Sequence, residues 1–446
     1  MSPFARRVAA ALACASLALV SLAGQVSAAS VTFGTPSALS QFGQDIAFTQ
    51  PYSGATVKSA SILISIPSDS ITLPGIVGPT VVPLDSVGSS QLTFTLDTST
   101  GAVTPFAPVE AQFEAVLDDG TVVDGPKIDV VYADDRFDWK TLTGKVVRLH
   151  YIQASDSFAQ QMLNLADNGV SKAASMFGIT ETKPIDFYVY PSQSAFEQGL
   201  SEPGTVGGVA LPSYRTCFAV VSPGDTTYAA QVMPHEPTHV VFSDATANPY
   251  HQPPRWLNEG FAQYVAQGYD PDSRSLVAQG AADGTMTSLL ALTDYFPLDS
   301  DRIYMAYAES VAAVDMLVSK YGRPDILKLV QAYAKGDSDD QAFQAAFGVD
   351  VATFDKAFLA ANDATATKYG PQPEATTPPS GAIAPQPTAT STSAPGTGSP
   401  EQTTTAPGPQ DHTLVYVVAG LMAVLGLVFM GGALAVATSS RGQTGR

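Results

Sequence analysis

Residues 235–239 read His-Glu-Pro-Thr-His, and they are the most informative stretch of the sequence. Residues four apart lie on one face of a helix, so His235 and His239 can present both imidazoles to a single metal ion. Glu236 directly follows the first histidine and would lie beside the metal, where its carboxylate can accept a proton from a bound water. The stretch therefore predicts a helix that carries two zinc ligands and a general base.

A second stretch, residues 256–260, reads Trp-Leu-Asn-Glu-Gly and supplies a further carboxylate. Glu259 would complete a His₂Glu ligand set with His235 and His239. Zinc enzymes that use this set keep a fourth coordination position open for water. Together the two stretches predict a zinc hydrolase site with Zn²⁺ as its cofactor.

The composition restricts the partners of the protein. The 446 residues carry a formal net charge of −19 and contain no run of Lys or Arg, so we expect no nucleic-acid partner. The sequence has two cysteines. Cys14 lies in the predicted leader, which leaves Cys217 without a partner for an internal disulfide. A Cys-based metal site is thereby excluded, and no disulfide-linked partner is expected.

Residues 1–28 are typical of a secretory signal peptide. Arg6 and Arg7 precede an apolar run, and small residues end the segment at Ala28. This order of charged, apolar and small residues is the signature of a cleaved leader. A retained N-terminal anchor is the alternative interpretation, and both place the folded part outside the cell.

The C-terminal region predicts a stalk and a membrane anchor. Residues 367–411 are rich in Pro, Thr, Ser, Gly and Ala, and they have too few large apolar side chains to fold. Residues 412–437 include the uncharged apolar run Leu414–Ala437, which is long enough to cross a bilayer as a helix. Two arginines follow in residues 438–446, so the positive-inside rule places this tail in the cytoplasm. The sequence thus predicts a single-pass cell-membrane protein with extracellular folded domains.

Residues 29–135 predict an all-β domain. Along residues 109–117 apolar side chains alternate with Glu and Gln, which is the period of a strand with one buried face. Asp119-Gly120 offers a tight turn before Thr121-Val122-Val123. Further strand candidates are Ala60–Ile66, Leu92–Leu96 and Ile128–Tyr132. An immunoglobulin-like β-sandwich fits this pattern best.

Residues 136–366 predict an α+β domain with its strands early and its helices late. The strand candidates are Val146–Ile152, Ile185–Tyr190 and Cys217–Val221. Besides the two helices that carry the metal ligands, the helix candidates are residues 158–176, Gln193–Leu200, Met305–Tyr321, Asp325–Ala334, Asp340–Phe347 and Thr353–Ala361. Gly322 and Pro324 are expected to end the Met305–Tyr321 helix.

The region from Phe137 to Ala361 resembles the gluzincin zinc metallopeptidases, and within them the peptidase MA-like domains of bacterial surface proteins. The string Trp256-Leu257-Asn258-Glu259-Gly260-Phe261-Ala262 is very similar to the one that carries the third zinc ligand in related zinc aminopeptidases. Gly207-Gly208-Val209-Ala210 and Tyr304-Met305-Ala306-Tyr307-Ala308 extend the similarity. The resemblance implies a thermolysin-like zinc peptidase, with metal ligands His235, His239 and Glu259 and general base Glu236.

The resemblance also implies the other parts of the site. A tyrosine early in the long helix after the third ligand stabilises the oxyanion in this family, and Tyr307 matches it best, with Tyr304 as second choice. Packing of Tyr307 on an apolar face is the alternative. In gluzincins an edge strand before the zinc helix pairs with the extended substrate, and Cys217–Ser222 is placed to do so. The motif with which aminopeptidases hold a free N-terminus is not visible, which favours endopeptidase action on a peptide or protein substrate.

One residue departs from the family pattern. Pro237 stands where the family has an ordinary helix former, and proline lacks a backbone donor and crowds the preceding turn. Because proline is tolerated in a first turn, the sequence predicts a helix that begins near Pro234 or is distorted there. Distortion would displace Glu236 and impair turnover. The alternatives to an active peptidase are a catalytically impaired surface binding, adhesion or sensor module, and a structural surface protein whose β-domain does the binding.

Overall fold

A computed structural model gives the architecture of the protein. It describes residues 30–67, 79–99, 101, 103–200, 207–297 and 300–366. These residues form two compact units, one that ends at Ala133 and one that begins at Asp134. Within the described residues, no helix is both long enough and apolar enough to cross a membrane. The predicted signal peptide, stalk, transmembrane helix and tail all lie outside the described residues.

The first unit is β-rich, as predicted, and contains two antiparallel sheets. Its strands are β1 (Val31–Phe33), β2 (Ser37–Gln41), β3 (Asp45–Gly54), β4 (Val57–Ser65), β5 (Thr80–Pro83), β6 (Gln91–Asp97), β7 (Pro108–Leu117) and β8 (Val122–Val131). In one sheet β3 pairs with β1, β2 and β6, and the other sheet has the order β5-β4-β7-β8. Along β7 every second side chain is buried, so the alternation seen in the sequence marks the core face. Gly120, with φ of 86°, makes the β7–β8 turn.

The second unit is α+β, with its sheet formed early in the chain. The strands are β9 (Lys140–Thr143), β10 (Val147–Tyr151), β11 (Ile185–Tyr190), β12 (Gly208–Leu211) and β13 (Thr216–Val220). Their order in the sheet is β12-β13-β11-β10-β9. The three central strands run parallel to one another, and the two outer strands run antiparallel to their neighbours.

The sheet order corrects the expectation about the substrate-pairing strand. The segment predicted to be an edge strand, Cys217–Ser222, largely coincides with β13. That strand is hydrogen-bonded to β11 on one side and to β12 on the other, so its backbone groups are already used. The strand at this edge of the described sheet is β12, which is short and immediately precedes β13 in the chain.

Eight α-helices accompany this sheet in the described residues, two of them between strands in the chain and six after the last strand. They are α1 (Asp156–Phe177), α2 (Gln193–Leu200), α3 (Thr226–Ala245), α4 (Arg255–Gln267), α5 (Pro271–Asp283), α6 (Ser300–Ala334), α7 (Asp339–Phe347) and α8 (Val351–Ala361). Gly322 interrupts α6 with a φ of 76° and is followed by Pro324, so the predicted helix end at this glycine is present as a break. The central pair is α1 and α3, which pack closely together beside the sheet.

The approach of α1 to α3 depends on Gly169. A Cβ atom at this position would lie 2.6 Å from Cα of Pro234 and 2.9 Å from its carbonyl oxygen. Both atoms belong to the backbone of α3 and cannot rotate away. The absence of a side chain at Gly169 therefore sets the distance between the two helices at the turn that precedes His235.

We expect Gly169→Ala to lower the free energy of unfolding by about 1–3 kcal/mol, because the added methyl group must push the two helices apart. Chemical denaturation of the purified protein measures the change. Asn168→Ala, at the exposed neighbouring position, is the matched control and should shift stability by about 0.5 kcal/mol or less. Equal stability of Gly169→Ala and the parent protein would show that the helices have room for a side chain.

Candidate metal centre

Two helices bring the predicted metal ligands together. His235 and His239 lie one turn apart on α3, and Glu259 lies in the second turn of α4. The Oε2 atom of Glu259 is 3.6 Å from Nε2 of His235 and 3.5 Å from Nε2 of His239. All three residues are buried. Among the described residues they form the one group of His, Cys, Asp and Glu side chains whose ligand atoms converge, within 4.8 Å of one another.

The spacing of these atoms fits zinc. Zinc binds imidazole nitrogen and carboxylate oxygen at about 2.0–2.2 Å in tetrahedral sites, which places two ligand atoms roughly 3.3–3.6 Å apart. The observed separations of 3.5 and 3.6 Å lie in this range. Two neutral imidazoles and one carboxylate also match the donor chemistry that zinc prefers. The residues present can therefore hold a zinc ion without rearrangement of the helices.

A hydrogen bond orients one of the imidazoles. Nδ1 of His239 lies 2.9 Å from Oδ1 of Asn258. An amide oxygen only accepts hydrogen bonds, so Nδ1 carries the proton and Nε2 is left unprotonated toward the metal position. Asn258 thus orients one of the candidate ligands, a role that the sequence did not predict. The signal that could have found it is its place directly before Glu259 in the motif.

The two glutamates of the site have opposite electrostatic environments. Burial raises the pKa of Glu236 to about 8, although His235 opposes this shift. Burial also favours the neutral form of Glu259, but His239, His235 and Arg255 outweigh it and hold the pKa of that carboxyl at about 2. Glu259 is therefore a permanent anion suited to bind a cation, whereas Glu236 is a carboxylate suited to take up a proton.

Glu236 lies against the edge strand. A Cβ atom at Gly208, the first residue of β12, would be 2.9 Å from the carboxyl carbon of Glu236 and 2.8 Å from Cγ2 of Val232. The missing side chain at Gly208 thus makes the space in which the Glu236 carboxylate sits. Val209 and Ala210 continue along the wall of the same cleft.

Gly208→Ala is expected to reduce the predicted peptidase activity while the predicted metal ligands stay in place. The methyl group would displace the Glu236 carboxylate, and an error of about 1 Å in the position of a reacting group can cost roughly 100-fold in rate. Zinc content and peptide cleavage, measured on the same preparation, test this. Val209→Ala, next along the strand, is the control and keeps the space beside Glu236. If Gly208→Ala lost zinc and activity together, the space at this position would serve the ligands rather than the base.

Pro234 and Pro237 lie in the interior of α3, the helix that carries His235 and His239. This corrects the expectation that the helix begins near Pro234. Helix α3 begins at Thr226, where the Asp225 side chain accepts a hydrogen bond of 3.0 Å from the backbone of Tyr228. Helical structure then continues through both prolines to Ala245. Because α3 is buried against α1, α4 and the sheet, we infer that packing outweighs the backbone hydrogen bonds that proline cannot make.

The two candidate tyrosines both line the cleft. Tyr304 and Tyr307 lie on α6 beside the ligands and Glu236. Burial raises the pKa of Tyr307 well above its usual range, so its hydroxyl keeps its proton. Its ring packs edge-on against Phe296, with 4.9 Å between the ring centroids. Tyr307 thus has both a cleft position and an apolar packing contact, which were the two interpretations of the sequence.

Two other histidines and the cysteine of this unit lie away from the candidate metal ligands. Nε2 of His251 lies 2.9 Å from Oδ1 of Asp339, and its ring stacks on Tyr333. His150 bonds to Asp186 through Nε2 at 2.8 Å. Cys217 is a free thiol in β13 with no exposed surface, and burial raises its pKa well above the usual value. None of these three residues lines the cleft that contains the metal ligands.

The chain is similar to several known proteins. Residues 165–362 match the Peptidase MA superfamily. An aminopeptidase N family protein from Idiomarina loihiensis shares 10% sequence identity at a TM-score of 0.40, over 76% of this chain and 77% of its own. The M1 zinc metallopeptidase from Deinococcus radiodurans shares 11% identity at a TM-score of 0.35, over 78% of this chain and 97% of its own. A comparison with curated proteins found no match. Likenesses to solved structures at this distance do not bear on the activity.

Proposed function

We propose that the protein is a zinc-dependent peptidase, since residues 165–362 match the Peptidase MA superfamily. The observation that carries the proposal is the convergence of the ligand atoms of His235, His239 and Glu259 within 4.8 Å. The carboxylate of Glu236 lies in the same cleft and is not one of these ligands. Three protein ligands with a separate base are the arrangement of a hydrolytic zinc site rather than of a closed structural one.

The mechanism divides the work among the residues of the cleft. A zinc ion held by the three ligands would polarise the scissile carbonyl and lower the pKa of water. Glu236 accepts the proton of the attacking water and passes it to the departing amine. Burial raises the pKa of this carboxyl, which favours acceptance of a proton from the attacking water. The hydroxyl of Tyr307 donates a hydrogen bond to the oxygen that becomes negative when the carbonyl is attacked.

Tyr307→Phe is expected to lower the rate of peptide cleavage by about 10²–10³-fold and to leave the zinc content unchanged, because only the oxyanion donor is lost. The ring and its contact with Phe296 are retained, so the fold should be preserved. Tyr304→Phe is the matched control, one turn earlier on the same helix. A larger loss for Tyr304→Phe than for Tyr307→Phe would assign the oxyanion role to Tyr304.

The edge strand β12 suggests how a substrate is held. Its residues Gly208, Val209 and Ala210 line the cleft, and its outer side is not paired with another described strand. We propose that an extended peptide adds to this edge by backbone hydrogen bonds. Such pairing uses the interior of a peptide chain, which favours endopeptidase action on peptide or protein substrates.

The cleft also contains carboxylates that favour the competing aminopeptidase proposal. Asp270 and Asp272 line it and could face a free amino terminus. Asp270, however, already caps α5 by accepting hydrogen bonds from the backbone of Asp272 and Ser273. Matched peptides with free and acetylated amino termini separate the two activities, since only an aminopeptidase requires the free amine.

The central test combines metal content with cleavage. The full-length protein should contain one zinc ion per chain and should cleave a mixed peptide library, and a chelator should abolish this cleavage. Zinc without cleavage would instead support the alternative, a catalytically impaired surface binding, adhesion or sensor module. Neither zinc nor cleavage would support a structural surface protein.

From the sequence, we also propose a cellular location for the protein. The predicted leader and the apolar run Leu414–Ala437 support a single-pass protein of the cell membrane with its folded units outside. The two antiparallel sheets of the first unit support an immunoglobulin-like sandwich. Protease protection of the two termini in intact cells tests the orientation.

A further inference from the structure

One buried cation lies beside the candidate metal ligand Glu259. Arg255 is the first residue of α4, one turn before Glu259. Its Nε atom lies 3.6 Å from Oε1 of Glu259, the carboxylate oxygen other than the one that faces the histidines. Both side chains are almost completely buried, with 12% of Arg255 and 4% of Glu259 exposed. In such a position a charge pair is screened little by water.

The same guanidinium also reaches the proposed oxyanion donor. The Arg255 guanidinium interacts with the hydroxyl of Tyr307 on α6 and opposes the rise in its pKa that burial causes. The guanidinium carbon lies 4.9 Å from the centroid of the Phe296 ring, and this ring packs in turn against Tyr307. The backbone N–H of Arg255 donates to the carbonyl of Thr293 at 2.6 Å. Arg255 is thus fixed at both its backbone and its side chain.

These contacts join two groups that come from different helices. Glu259 belongs to α4 and Tyr307 to α6, and each has its own freedom to rotate about its side-chain bonds. A guanidinium carries a fixed charge and several N–H donors in one rigid plane, so it can pair with a carboxylate by charge and interact with a hydroxyl at the same time. A lysine ammonium is a point charge on a flexible stem and does not fix two partners in one geometry.

We infer that Arg255 is a positioning residue of the metal centre, which fixes the ligand Glu259 and the hydroxyl of Tyr307 relative to each other. The inference rests on the proposed function for its effect on catalysis. Its effect on metal binding follows from the contact with Glu259 alone. Arg255 itself does not line the cleft and is not one of the three candidate ligands.

The test uses Arg255→Met and Arg255→Lys in the full-length protein. Zinc affinity is measured by competition with a chelator, and kcat and KM are measured at saturating zinc. Arg255→Met should weaken zinc binding by about 10–100-fold, as expected when the partner of a ligand is removed. It should also lower kcat at least about tenfold, with little change in KM, because the oxyanion donor acts in the transition state. Arg255→Lys should recover part of the zinc affinity by keeping the Glu259 carboxylate paired, but should not recover kcat.

Two controls separate positioning from general destabilisation. Arg274 lies over the ring of Tyr269 at 4.1 Å and does not line the cleft, so Arg274→Met removes the same kind of contact and should change neither quantity. In the double variant with Tyr307→Phe, the loss in kcat should be smaller than the product of the two single losses, since both changes affect one interaction.

The outcomes distinguish failure of the inference about Arg255 from failure of the proposed function. Parental zinc affinity and parental kcat in Arg255→Met would overturn the inference, and so would equal losses in Arg274→Met. If Arg255→Met fails to fold, Arg255→Lys is the deciding variant. Parental kcat in Arg255→Lys would overturn the inference, because lysine lacks the rigid group of N–H donors. If the parent protein binds zinc but cleaves nothing, the proposed function fails, while the zinc affinities still test the contact between Arg255 and Glu259.

Discussion

Glu236→Gln is expected to abolish nearly all peptide cleavage, by roughly 10²–10⁴-fold, and to leave one zinc ion bound. The amide has the shape of the carboxylate but cannot accept the proton of the attacking water. Glu236 lies outside the converging ligand set, so its replacement removes no metal ligand. Metal analysis and cleavage assays on the same sample measure both parts of the expectation.

A buried glutamate on α6 supplies the control for this experiment. Glu309 is completely buried, accepts a hydrogen bond from the backbone of Thr287, and has its pKa raised well above the usual value by burial. Glutamine resembles its neutral form, so Glu309→Gln should leave activity intact. Cleavage by Glu236→Gln at the parental rate would show that the proposed mechanism is wrong for this chain, even with zinc bound.

Glu259→Ala and His239→Ala are each expected to remove most of the zinc and, with it, the activity. Each variant leaves two protein ligands, and loss of a ligand should exceed the roughly 10–100-fold weakening that is typical for its outer partners. Glu259→Ala also leaves the buried Arg255 without the carboxylate beside it, so a fall in stability should accompany the loss of metal. Zinc content after dialysis against a weak chelator measures the effect. A double variant that retained full zinc would place the ligands elsewhere.

The convergence of the candidate ligands could be predicted because the information for it is local. The period of a helix places His235 and His239 on one face whatever the helix packs against. Glu259 comes from a string that is specific by itself. The break in α6 is equally local, since Gly322 followed by Pro324 ends a regular helix in most contexts.

The first residue of α3, the helix that carries His235 and His239, could not be predicted from local chemistry. Pro234 and Pro237 are signals for a first helical turn, and by that rule the helix should not extend back to Thr226. In the structure its surroundings decide the outcome. Gly169 lets α1 approach the backbone of Pro234, and this packing maintains a helix that local preference would shorten.

The roles of β12 and Arg255 depend on contacts between distant parts of the chain. The segment of residues 208–211 is short and rich in small side chains, so its sequence does not indicate an edge strand. The order of strands in a sheet is set by pairing across the chain, and it placed β13 in the interior. Arg255 is an ordinary helix-start residue in the sequence. Its significance comes from Tyr307, which lies on another helix.

The buried thiol in β13 makes the protein its own reporter of conformational opening. Cys217 has no exposed surface and lies in the strand between β11 and β12. A thiol-specific reagent can reach its sulfur atom only when this part of the sheet opens. Because the other cysteine, Cys14, falls in the predicted leader, a processed chain would carry a single labelling position. The rate of labelling would then report how often β12, which lines the cleft, separates from β13. No mutation would be needed for this measurement.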